Sequence, residues 1–304
     1  MKLNAIDLVV MIVIIAALIC ALALRGINVV ATWLNEQQVT EDAILTYRQA
    51  LLRSSPRHVV IDDLFDADRL QAVCAQLQKN EQWQTQKHSY SALYVKDATW
   101  QKTPSAERFV QRDVWQRPPA AQSVALLSEA AQSSETASTE TVSSETVSSE
   151  TVSSETVSTE AATANIAAEF LQYLRSDEFM AVLSRIFAVE LTDRNVAKPD
   201  INCNYFRLGP DDFVNQHADD SPGREVCMLL YLNKNWDHQQ GGELVFSGKY
   251  QKTVRIAPLY NRCVLFDPSS KGAEHWVNPV HRLANDDQAS LQYRYNVTSW
   301  YWSE

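Results

Sequence analysis

The sequence predicts a mainly β protein with supporting helices: an antiparallel jelly roll, or double-stranded β-helix, preceded by one N-terminal transmembrane helix. Three observations predict it. Between residues 202 and 302, eight short apolar or alternating segments are separated by turn-rich stretches, the spacing of a sandwich or barrel. Before them lie four segments whose apolar residues recur at helical spacing. At the start stands an uninterrupted run of seventeen apolar residues, 8–24.

That run, LVVMIVIIAALICALAL, reaches about 25 Å as a helix at roughly 1.5 Å per residue, the lower limit for a bilayer span. A cleaved signal peptide has a shorter apolar stretch of about 7–15 residues, although Ala21-Leu22-Ala23 resembles a small-residue cleavage site. We expect a single-pass anchor, with residues 1–39 as anchor and juxtamembrane segment and 40–304 as one folded domain. Lys2, Asp7 and Arg25 flank the run so evenly that the positive-inside rule does not orient it.

Helices are expected over 40–52, over 66–79 with Asp66 as N-cap, and over 164–174 and 176–187. A first strand is expected at 58–65. An insert at 119–163 interrupts the domain. Its core, 133–160, repeats a Ser/Thr-Glu-Thr unit every five residues and carries six glutamates with no lysine or arginine. Such a composition cannot bury enough surface to fold alone, and a disordered insert is expected. The tract supplies more than half of the net charge of −10, a balance that argues against nucleic-acid binding. The eight strands are expected at 202–208, around His217, at 225–232, 241–246, 253–257, 262–266, 275–280 and 294–302.

Within these strands, His217-Ala218-Asp219 precedes His275 and then Arg294. Two imidazoles and one carboxylate can cover one face of an octahedral Fe(II) and leave the other face open. The planar fork of Arg294 suits a carboxylate. Alternation places Arg294, Asn296, Thr298 and Trp300 on one face of their strand, and Cys227, Leu229 and Tyr231 together on theirs. The five cysteines are scattered, without C-x-x-C spacing, and suggest neither a disulfide framework nor a zinc site.

The segments YLNKNWDHQQGGELVF, RCVLFDPSS, EHWVNPV and RYNVTSWYW resemble the catalytic core of the prolyl-4-hydroxylase-type 2-oxoglutarate/Fe(II) dioxygenases. The likeness to the hypoxia-factor prolyl hydroxylases is strong around 231–237 and 294–300. The resemblance implies that His217, Asp219 and His275 are the iron ligands. It implies that Arg294 and Tyr231 hold the distal carboxylate of 2-oxoglutarate and that Trp300 lies near the cosubstrate. Tyr205 is the nearest match to the family's upstream active-site tyrosine. The family's basic residue stands about ten positions after the second histidine, whereas Arg294 stands nineteen after His275. Arg282 is nearer but lacks the T-x-W pattern that follows Arg294.

The resemblance further implies hydroxylation of an unactivated C–H, coupled to conversion of 2-oxoglutarate and O2 to succinate and CO2. The substrate it points to is a prolyl residue in a protein or peptide, with ascorbate as a candidate reductant. A small metabolite or lipid is the alternative within the same chemistry, and a metal-free binding module the alternative outside it. Since 2-oxoglutarate and reduced iron are cytosolic, the catalytic domain is expected on the cytoplasmic side of the membrane.

Overall fold

The computed structural model describes residues 32–79, 82–89, 109–117, 165–193, 202–282 and 293–303. The apolar run at 8–24 and the Ser/Thr/Glu repeat lie outside them. Among the described residues no helix is long and apolar enough to cross a membrane.

Four α-helices occur among the described residues: α1 (Glu41–Arg53), α2 (Ala67–Leu77), α3 (Ile166–Tyr173) and α4 (Asp177–Phe187). Each begins where a short polar side chain accepts from an orphan backbone N–H of the first turn: Thr40 from Ala43, Asp66 from Arg69, Asn165 from Ala167 and Ala168, and Ser176 from Phe179. The helices expected from apolar spacing are thus present, each starting a residue or two later than expected, because the cap itself is not helical. Helix α4 ends on Ala188 in the left-handed conformation (φ 57°).

The strands are β1 (His58–Asp62), β2 (Trp83–Ser89), β3 (Phe109–Trp115), β4 (Cys203–Leu208), β5 (Phe213–His217), β6 (Arg224–Tyr231), β7 (Leu244–Phe246), β8 (Val254–Ile256), β9 (Arg262–Phe266), β10 (His275–Val277) and β11 (Arg294–Trp302). Among the described residues they form one antiparallel sheet in the order β1-β9-β6-β11-β4-β3-β5-β10-β7-β8, with β2 on β3. All eight strands expected after residue 202 are present. The β2–β3 pair was not expected: WQTQKHS has no apolar alternation, and its residues 84–87 are exposed. Strand β3 is nonetheless the hinge of the sheet, since it pairs β4 through Asp113 and Val114 and β5 through Val110 and Gln111. The result is a half-barrel consistent with a jelly roll.

The helices cover the outer face of β1, β9, β6, β11 and β4. There Val59, Ile61, Cys203, Tyr205, Met228, Leu230, Cys263, Leu265, Val297 and Tyr301 pack against Leu70, Phe170, Phe179 and Leu183 in one buried cluster. The alternate residues of the same strands, Cys227, Leu229, Tyr231, Val264 and Phe266, face inward and form a second cluster. Both faces of β6 are therefore buried, which explains its near-continuous apolar run. Removing one large side chain from the outer cluster costs about 3–5 kcal/mol. Arg175, after α3, ties the helical layer to β11: it pairs with Asp193 and donates to Ser299 Oγ (2.9 Å) and the Trp300 carbonyl (2.8 Å).

Candidate active site

Strands β5 and β10 pair so that His217 and His275 stand directly opposite each other. Their rings lie 4.2 Å apart, and Asp219 follows just beyond the end of β5. One ligand atom from each of the three residues falls within 4.8 Å of the other two, and all three side chains are buried. The Asp219 carboxylate lies 3.7 Å from His217 Nε2 and 3.8 Å from His275 Nε2.

The tautomers of the two histidines follow from their other ring nitrogens. His217 Nδ1 lies 3.0 Å from the Asn215 carbonyl and His275 Nδ1 lies 2.9 Å from the Ala273 carbonyl. A carbonyl only accepts, so each Nδ1 carries the proton and each Nε2 lone pair faces the centre of the triad. The partner in both cases is the carbonyl two residues upstream. Burial, reinforced by the neighbouring His275, lowers His217 to about 3, so its imidazole is neutral at pH 7. Burial alone would raise Asp219, but His217, His275, Arg224 and the Trp300 indole hold it down to about 2. Two imidazoles and one carboxylate, converging on one point, fit a divalent iron.

Asp219 is itself held in place. Its Oδ2 accepts from Trp300 Nε1 at 3.1 Å and from the Cys227 thiol at 3.7 Å. Burial pushes Cys227 well above the ordinary thiol range, so the sulfur keeps its proton and donates.

Across the cavity, Arg294 is buried at 1% exposure. Its Nε donates to the Gly242 carbonyl (2.7 Å) and its Nη1 to Asn296 Oδ1 (2.7 Å), while Nη2 makes no hydrogen bond. Asn296 in turn donates to Thr298 Oγ1 at 2.9 Å. The Arg294 guanidinium lies 4.8 Å from the centre of the Tyr231 ring, and the Tyr231 hydroxyl is also buried without a partner. Burial, opposed by Arg294, raises Tyr231 to about 12, so the hydroxyl stays protonated as a donor. Two orphaned donors side by side form a receptor for a carboxylate.

Gly241-Gly242 permits this approach. A Cβ at Gly241 (φ +66°) would meet the Pro279 carbonyl at 2.2 Å, and one at Gly242 (φ +72°) would lie 3.1 Å from both Arg294 Cδ and the Trp236 ring.

The cavity thus gathers His217, Asp219, His275, Arg294, Asn296, Thr298 and Trp300. Tyr231 stands behind Arg294. Arg282 is exposed, so Arg294 is the arginine that enters the cavity; the intervening residues 283–292 lie outside those described. Tyr205 is a correction. It occupies the outer face of β4, its ring 5.4 Å from Trp115 and its hydroxyl donating to the Ala167 carbonyl at 2.8 Å, so it belongs to the helix-packed core. The alternation of β4 places Leu208, not Tyr205, in the cavity. Arg112 on β3 also lines the cavity and was missed, because β3 itself was not read from the sequence.

Residues 203–302 match the family model of the 2OG-Fe(II) oxygenase superfamily. Among solved structures, a prolyl hydroxylase from Trichoplax adhaerens, in complex with a hypoxia inducible factor oxygen degradation domain peptide fragment, aligns at 16% identity over 88% of this chain and 91% of that one, with a TM-score of 0.52. A Pseudomonas putida prolyl-4-hydroxylase aligns at 14% identity over 86% of this chain and 99% of that one, with a TM-score of 0.48. The first of these likenesses shows a shared fold. No curated protein matches the chain. Over residues 203–302 the chain carries the 2OG-Fe(II) oxygenase domain, and the protein is a 2-oxoglutarate-dependent dioxygenase that uses Fe(II).

Proposed function

We propose that this dioxygenase hydroxylates a prolyl residue of a protein or peptide, releasing succinate and CO2, at a membrane surface to which residues 8–24 tether it. One observation carries the catalytic part. A buried His-Asp-His triad faces, across a single cavity, the Nη2 of a buried arginine that has no hydrogen-bond partner among the described residues. The anchor is supported by its seventeen uncharged apolar residues, and the cytoplasmic placement by the cellular location of 2-oxoglutarate and reduced iron. Fold likeness does not fix a substrate. The prolyl reading is supported by the sequence resemblance and by the names of the structural relatives.

Each residue has a task in this reading. His217, Asp219 and His275 would hold Fe(II). Arg294 and Tyr231 hold the distal carboxylate of 2-oxoglutarate, which orients the cosubstrate before the substrate arrives. Asn296 and Gly242 fix the guanidinium, and Trp300 and Cys227 fix Asp219. When bound, Fe(II) and 2-oxoglutarate would supply the electrons that reduce and activate O2, two of them from the oxidative decarboxylation of the cosubstrate to succinate and CO2. The apolar walls, Leu208, Val214, Leu229, Leu244 and Val277, keep the reacting space dry.

The test uses the full-length chain in detergent micelles, loaded anaerobically with Fe(II). Under air, succinate is expected to form from 2-oxoglutarate, faster with added cell extract, and proteins of that extract are expected to gain 16 Da on proline. Extract-stimulated succinate with no mass gain on proline overturns the prolyl assignment, and no iron uptake with no succinate overturns the enzymatic reading. Protease treatment of oriented vesicles checks the membrane side. Digestion of the domain in inside-out vesicles is expected, and protection there overturns the cytoplasmic placement.

A further inference from the structure

Strand β3 crosses from β5 to β4 between Gln111 and Asp113, and Arg112 sits at the crossing. Alternation turns Asp113 away from the cavity, where it pairs with Arg207 at 2.9 Å, and turns Arg112 into the cavity beside the triad and Arg294. The Arg112 guanidinium carbon lies over the Phe206 ring, 3.5 Å from its centre. Among the described residues no carboxylate pairs with it, and its solvent-shielded Nε makes no hydrogen bond. Three other arginines differ: Arg207 is paired with Asp113, Arg175 with Asp193 and Arg262 with Asp62.

An unpaired arginine fork backed by an aromatic ring inside a cavity is a receptor for an anion. Among the described residues, the charged side chains lining the cavity are Asp219, Arg112 and Arg294. With a divalent metal and the dianionic cosubstrate in place, these groups retain one positive charge. The Arg294 side of the cavity is assigned to 2-oxoglutarate, so the β3 side remains for the substrate.

We propose that Arg112 is a specificity-determining residue that binds a substrate carboxylate, so that the preferred substrate is an acidic peptide with an aspartate or glutamate close to the hydroxylated residue. This rests on the reading above that the cosubstrate occupies Arg294 and that the substrate is a peptide. A guanidinium backed by an aromatic ring can offer its planar fork of N–H donors to a carboxylate in two parallel N–H···O bonds.

The experiment uses the full-length chain with Mn(II) in place of iron, saturated with 2-oxoglutarate. Three acetylated peptides of equal length carry one proline flanked by two aspartates, two asparagines or two lysines. Their affinities are measured by fluorescence anisotropy for the wild type, Arg112→Lys, Arg112→Gln and Arg112→Glu. The aspartyl peptide is expected to bind the wild type about tenfold or more tighter than the asparaginyl peptide, the range of a charge-assisted hydrogen bond. Arg112→Gln is expected to erase that preference, Arg112→Lys to keep part of it, and Arg112→Glu to transfer it to the lysyl peptide. A gain of lysyl-peptide affinity cannot come from misfolding. Normal cosubstrate binding with peptide affinities indifferent to residue 112, or with no binding of the aspartyl peptide, overturns the proposal alone. So does a loss of 2-oxoglutarate affinity in place of peptide affinity, which makes Arg112 a second cosubstrate clamp. Failure of the wild type to bind Mn(II) and 2-oxoglutarate overturns the underlying reading, and the proposal with it.

Discussion

The two faces of strand β11 are built from alternate residues of one nine-residue segment, yet they are finished differently. On the outer face, Val297 and Tyr301 meet the helices, and the Tyr301 hydroxyl donates to the Leu174 carbonyl at 2.8 Å. On the inner face, Arg294, Asn296, Thr298 and Trp300 line a cavity, and a buried donor of Arg294 has no partner. The protein completes its outer face with its own atoms and leaves the inner face incomplete. Stability belongs to the first and ligand affinity to the second, because an unmet buried donor destabilises the fold slightly and binds strongly when its acceptor arrives.

The largest expected effects break this division at its extremes. His217→Ala is expected to abolish iron uptake and reduce succinate formation to background. The metal-free variant should unfold within about 1 kcal/mol of wild type, since it opens space into an existing cavity and removes no packing against the helices. Phe179→Ala, in the outer cluster, is expected to cost about 3–5 kcal/mol of stability while the folded fraction binds 2-oxoglutarate with unchanged affinity. Urea titration paired with cosubstrate titration reads both. If His217→Ala destabilises the metal-free chain as strongly as Phe179→Ala does, the two faces are not separate.

A smaller effect concerns the orientation of Asp219. Trp300→Phe removes the 3.1 Å indole bond to Oδ2 but keeps most of the ring, leaving the Cys227 thiol as the remaining side-chain donor to that oxygen. Outer-shell donors of this type are worth about 10–100-fold in metal affinity. Competition between the protein and a chelator for Co(II) is expected to show a loss in that range, with little change in the thermal midpoint of the metal-free protein. An unchanged affinity shows that the carboxylate is positioned by the backbone alone.

The same alternation explains what the sequence disclosed. The period of two in RYNVTSWYW places Arg294, Asn296, Thr298 and Trp300 on one face, and the cavity contains all four. The triad was legible because its spacing, H-x-D then a distant histidine, falls on strand ends. Tyr205 was misplaced because a tyrosine's identity says nothing about its face: its neighbours Cys203 and Arg207 share its side of β4, and only pairing with β11 and β3 fixes which side that is. The β2–β3 pair was illegible for a different reason. Its strands are held by backbone ladders and by Thr85–Asp113 and Arg207–Asp113 polar contacts, which leave no hydrophobic period to detect. Arg112 was lost with it.

The finest test compares two tyrosines of similar burial and opposite satisfaction. Tyr301 and Tyr231 are both fully buried, but the hydroxyl of Tyr301 reaches the Leu174 carbonyl at the end of α3, whereas that of Tyr231 meets no acceptor. Tyr301→Phe strands a buried carbonyl and is expected to cost about 1–2 kcal/mol of stability with no change in 2-oxoglutarate affinity. Tyr231→Phe removes an orphan donor, so the ligand-free protein should be as stable as wild type or slightly more so. Its 2-oxoglutarate affinity should fall about tenfold, the size of one hydrogen bond to a carboxylate. Thermal unfolding with and without the cosubstrate separates the two cases: the cosubstrate-induced stabilisation shrinks only for Tyr231→Phe. If both variants lose stability alike and bind 2-oxoglutarate alike, the Tyr231 hydroxyl is a packing element. The incompleteness of the inner face would then rest on Arg294 Nη2 alone.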